Sequence, residues 1–147
     1  MKPATFIIHE LRHALAAREV SRSLNMPVIL VSAPGAVRSG GAGWWRALIA
    51  QADAAVSDVQ ASSVLDCADE PGMALAAIRE GVEAIAIVAP EATYERLADI
   101  ARQSGVAIRT IDWVAACDLA GSNDPQADCE NHLRKRPAGV AKPAALG

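Results

Sequence analysis

Residues 9–13 read HELRH, which sets two imidazoles four positions apart with a carboxylate directly after the first. On a continuous helix this spacing places His9 and His13 one turn apart on one face, where both can bind a divalent metal, and leaves Glu10 to activate a metal-bound water. A second stretch with chemical potential is SAPGAVRSGGAGWW, residues 32–45. Gly40, Gly41 and Gly43 permit close backbone approach to a ligand, Arg38 offers a guanidinium to an anion, and Trp44 offers an indole face. A third is LDCADEPG, residues 65–72, where Asp66 and Cys67 follow an apolar run, a carboxylate and a thiol beside a helix start.

These groups need elements to hold them. TFII (5–8), PVILVSA (27–33), VEAIAIVA (82–89) and VAIRTI (106–111) read as strands, with SSVLD (62–66) as a shorter fifth. The runs at 27–33 and 82–89 are almost continuously apolar, as in parallel strands covered on both faces, whereas 106–111 has a partly polar face and suits an edge. Helical periodicity covers about 10–24, 43–56, 70–80 and 90–104; Pro71 and Pro90 open the last two, and Gly81 and Gly105 close them. The alternation predicts an α/β fold, a three-layer, mostly parallel five-stranded sheet flanked by helices, doubly wound or half-barrel-like. Residues 1–120 form the expected single domain, and the polar, then Pro/Ala-rich stretch 121–147 reads as a flexible C-terminal tail.

In open parallel sheets, ligands bind beyond the carboxyl ends of the strands, where helix N-termini point their free N–H groups. That rule gathers His9, Ser32, Arg38, Gly40, Gly41, Gly43, Trp44, Asp66 and Cys67 into one candidate binding edge, with Asp69, Glu91 and Asp112 beside it. A small anionic ligand is the expected occupant. The loop matches neither G-x-x-x-x-G-K-[ST] nor G-x-G-x-x-G, so no nucleotide signature supports it. Helical geometry separates the tryptophans: Trp45 leads the stripe Trp45, Leu48, Ile49, Ala52, Val56 and belongs in the core, while Trp44 is turned about 100° onto the flank.

Composition narrows the partners. The chain has 147 residues, 52% of them hydrophobic and only 3% aromatic, so its core is built from Ala, Val, Ile and Leu. A net charge of -3 argues against a general nucleic-acid or membrane-surface binder. Three cysteines without a CxxC pair fit reduced thiols, and no run of about 18 apolar residues marks a membrane span or secretory leader. A cytoplasmic setting is expected, with no cofactor. In the first helix, Ala14, Ala17, Val20, Ser21 and Leu24 can face the sheet; Leu11 and Leu15, beside Arg18 and Arg22, then form a face for a homo-oligomer.

The segment FIIHELRHAL resembles the zinc-binding helix of the zincin metalloproteases. That resemblance implies zinc held by His9 and His13 with Glu10 as general base. Three features oppose it: TFII reads as a strand ending at His9, Arg12 stands inside the motif, and Ala16 and Glu19 occupy the places of the metzincin Gly and third His. The match is read as accidental, and no metal is expected. LDCADEPGM faintly resembles the phosphoacceptor segment of response-regulator receivers, without the Ser/Thr and Lys that accompany it there. The core as a whole resembles small bacterial α/β proteins of uncharacterised function, which implies no activity. The expected function is a ligand-binding or assembly module. The alternative is an enzyme at the same edge, a metal-dependent hydrolase using His9, Glu10 and His13 or a phosphate- or nucleotide-dependent enzyme.

Overall fold

A computed structural model gives the structure of the protein and describes residues 2–135. The chain alternates strand and helix as its periodicity predicts: β1 (Ala4–Ile8), α1 (Leu11–Leu24), β2 (Val28–Ser32), α2 (Gly41–Ala55), β3 (Ala61–Asp66), α3 (Pro71–Glu80), β4 (Ala84–Ala86), α4 (Glu91–Ser104) and β5 (Ala107–Ile108). A short 3-10 turn, Ala36–Arg38, lies between β2 and α2. Two further elements follow, β6 (Cys117–Asp118) and α5 (Pro125–Lys135). The sheet therefore has six strands rather than five, all parallel, in the order β5-β4-β3-β2-β1-β6. As expected, 27–33 and 82–89 supply interior strands and 106–111 an edge.

From β1 to β5 every crossover steps in the same direction. Right-handed crossovers then put successive helices on one face, and the helices pack in a row, α5, α1, α2, α3, α4. This is the half-barrel-like arrangement. Alternation along the strands divides the core. Phe6, Ile8, Leu30, Leu65 and Ile85 join the cluster containing the helices, whereas Ile7, Val31, Val64, Ala84 and Ala86 point to the other face. That second face is covered by the irregular segment 109–116 through Ile111, Trp113 and Ala116. Small residues such as Ala84 and Ala86 leave room for an extended backbone to lie against the strands.

Two further expectations change. Residues 125–135 of the supposed tail are helix, buried at Cys129 and Leu133 and packed on α1; Asp124 caps it by accepting the Ala127 N–H at 3.1 Å. Residues 136–147 lie outside the described ones. On the first helix, Arg18 departs from the outer face expected for it, while Leu11, Leu15 and Arg22 keep part of their surface. Leu11 and Leu15 pack partly buried against the main core, and Arg18 is buried, donating to the Val56 carbonyl at 2.8 Å and pairing with Asp53 at 2.7 Å. Arg18 is a tie between α1 and the end of α2. Among the described residues no helix is long and apolar enough to cross a membrane.

Candidate functional site

At the carboxyl edge, the strand ends bring up Asp66 from β3, Ser32 from β2, His9 from β1 and Asp118 from β6. They form two separate groups. In the first, the Gly-rich loop closes on an internal carboxylate. Gly35 sits at φ +73°, a left-handed conformation that favours glycine. Its N–H donates to Asp66 Oδ2 at 2.7 Å, while the Asp66 N–H donates to Ser32 Oγ at 2.8 Å. Burial pushes the Asp66 carboxyl above its ordinary value, opposed by the N–H groups of Gly35 and Ala68. Arg38 is held by Glu70 at 2.9 Å and Asp69 at 2.7 Å. Bonding first to Glu70 and then to Asp69 raises its pKa further.

The backbone donor and the guanidinium expected to receive an anion are thus already engaged by the chain's own carboxylates. Gly41 and Gly43 have open space at their Cβ positions; Gly40 lies against the Trp44 ring, 2.6 Å from where a Cβ would stand. Trp44 is 38% exposed beside the loop, and Trp45 is buried, as the helical stripe requires. Cys67 is fully buried, and burial, with Asp66 second, pushes its thiol up to about 12. A thiol held in that state is a poor nucleophile near neutral pH.

The second group surrounds HELRH. The strand ends at Ile8, Glu10 is the extended N-cap residue, and α1 begins only at Leu11. His9 is therefore off the helix, as the reading of TFII as a strand anticipates. The His9 N–H donates to His13 Nδ1 at 3.0 Å. Neutral His13 must then carry its proton on Nε2, which faces Glu10 Oε2 at 3.6 Å. The lone pair a metal would take is occupied on one nitrogen and protonated on the other. Among the described residues, no group of three or more His, Cys, Asp or Glu side chains could hold a metal ion. The zinc-hydrolase alternative through His9, Glu10 and His13 lacks the geometry it needs.

His9 turns its Nε2 to Asp118 Oδ1 at 2.7 Å, and Asp118 is held by the Ala120 N–H at 3.0 Å. Burial opposes the Asp118 charge, but the Ala120 N–H and His9 outweigh it, and the carboxyl titrates below its usual value. Glu10 pairs with Arg12 at 3.1 Å, and Arg12 donates to the Ser122 carbonyl at 3.0 Å, tying the N-terminus of α1 to the turn before α5. Asp118 is the member of this group that sequence reasoning missed. It lies 109 positions from His9 on a two-residue strand, too short to show a period.

His13 gives this group a pH response. Burial is the largest influence and lowers its pKa from the usual 6.5, with Glu10 opposing. A His depressed in the folded state contributes nothing above 6.5; below it, the unfolded chain binds a proton that the folded chain refuses, so stability falls. Protonation would also add a hydrogen to Nδ1 and break the bond from His9. Urea unfolding of the wild type is expected to show stability falling as pH drops below 6.5, with a shallower fall in His13→Gln. Identical slopes would remove His13 from the account.

No protein-family model matches the chain, and no curated protein does. Among solved structures, the fold is similar to that of a "putative fructose-1,6-biphosphate aldolase" from Coccidioides immitis, with a TM-score of 0.60 and 19% identity over 72% of this chain. The chain spans 39% of that protein's length. At this identity the likeness concerns the α/β fold alone.

Proposed function

We propose that the chain is a small α/β binding module whose ligand contacts the carboxyl edge at the His9–Asp118 pair. One observation carries this reading: His9 and Asp118 meet at 2.7 Å with side chains 32% and 54% exposed, while the Ser32–Gly35–Asp66 group is closed on itself. The open groups are an imidazole and two carboxylates, Asp118 and Glu10, which are acceptors rather than anion donors. They suit a ligand bearing hydroxyl or amine donors. The small anion suggested by the glycine loop would have to displace Asp66 and compete with Asp69 and Glu70 for Arg38.

The test follows the His9 ring resonances by NMR against two panels, polyols with polyamines and phosphorylated metabolites. Saturable shifts with the first panel, lost in Asp118→Asn, are expected. Response to the phosphorylated panel alone, or to neither, overturns the reading. An enzyme at the same edge is a second reading, favoured by the same pair, since a carboxylate-oriented imidazole is an arrangement for moving protons. Hydrolysis of an activated ester at equal rates by the wild type and His9→Gln would exclude it. A homo-oligomer through the Leu11/Leu15 side of α1 is read directly by native mass measurement.

A further inference from the structure

At the opposite, amino edge of the sheet a cavity of about 310 Å³ lies between the start of β1, the coil before β6 and the last turn of α5. That volume is within the range of small-molecule sites. Its polar lining comes from Lys2, Thr5, Asp112, His132 and Lys135, and Ala115 contributes to the apolar wall. The fold has brought two ammonium groups from distant segments to one hollow in a chain of net charge -3. Neither lysine has a carboxylate within ion-pair distance among the described residues. Lys135 is partly accounted for by the carbonyl end of α5, where basic residues are favoured, but Lys2 belongs to another segment and has no such partner. Asp112 is turned to its own loop, its Oδ1 accepting the Ala115 N–H at 3.2 Å. The Thr5 hydroxyl has no hydrogen-bond partner among the described residues.

We infer that this cavity is a binding site for a small molecule with a carboxylate or phosphate head. The head lies between Lys2 and Lys135 and accepts from the Thr5 hydroxyl, and the body rests on the apolar wall. An anion shared by the two ammonium groups gains two charge-assisted contacts. The site is separate from the carboxyl edge and does not depend on the function proposed there.

The experiment titrates the isotope-labelled full chain with inorganic phosphate and with butyrate, using sodium chloride at matched ionic strength as control. Saturable shifts of the Thr5 and Ala115 amides are expected with at least one head, which names the preferred one. Binding should weaken roughly ten-fold in the Lys2→Ala/Lys135→Ala double variant and stay unchanged in His9→Ala. Both lysines are exposed, so the variant's amide spectrum should otherwise match the wild type's. Shifts that follow ionic strength alone, equal binding by the double variant, or no shift with either head would overturn the inference.

Discussion

Trp45→Ala is expected to lower the free energy of unfolding by about 3–5 kcal/mol, the loss typical of deleting a large buried aromatic. The indole is 1% exposed and belongs to the cluster that joins the helix row to the sheet. Removing it leaves a cavity between α2 and the strands that backbone cannot fill without breaking the ladder. Trp44→Ala, one residue earlier, should cost about 1 kcal/mol, since its ring is 38% exposed and lies against Gly40 and the Trp45 ring. Trp45→Phe makes a sharper comparison. The Trp45 Nε1–H has no acceptor among the described residues, so the phenyl ring loses volume but sheds an unsatisfied donor, and the cost should stay below about 1.5 kcal/mol. Urea unfolding of the three variants gives the ordering. Equal losses for Trp44→Ala and Trp45→Ala would mean that the two rings are not divided between surface and core.

Asp66→Ala comes next in expected effect, at about 1–3 kcal/mol. It leaves the Gly35 N–H without its acceptor and removes the partner of the Ala68 N–H, in a loop where Gly35 already occupies a left-handed conformation. Asp66→Asn keeps an oxygen in the same place and should cost less. It should also remove a pH dependence. Because the folded carboxyl titrates above 3.8, its contribution is full below that value and is lost as pH rises through the folded pKa. If Ala and Asn cost the same, the loop is held by something other than this carboxylate. Faster amide exchange at Gly35 in Asp66→Ala would locate the opening.

Much of the fold is legible in the sequence, because long apolar runs and helix stripes with Pro and Gly at their ends are strong signals. The ends of α3 and α4 fall within about one residue of the punctuation that predicts them. What escapes is short or diluted. Strand β6 contributes only Cys117 and Asp118 to the ladder, and α5 buries only Cys129 and Leu133, one i,i+4 pair among polar residues. A start signal for α5 was present in Asp124-Pro125, an N-cap followed by proline at the first helical position. The candidate edge was legible in outline, since Ser32 and Asp66 do end strands and His9 directly follows one. Its division was not. Whether Gly35 donates to a ligand or to Asp66 depends on the side-by-side placement of β2 and β3, which no local pattern encodes.

The one-way order from β1 to β5 also bears on how the chain is made. Each new strand is laid beside its predecessor, so a nascent chain emerging from its N-terminus can dock unit after unit through contacts between neighbours in sequence, a topology that favours rapid assembly. Among the described strands β6 alone breaks this progression, returning across the sheet to the flank of β1. The pairing of Cys117–Asp118 with Phe6–Ile7 caps that flank of β1, and it can form only once residue 118 has been synthesised.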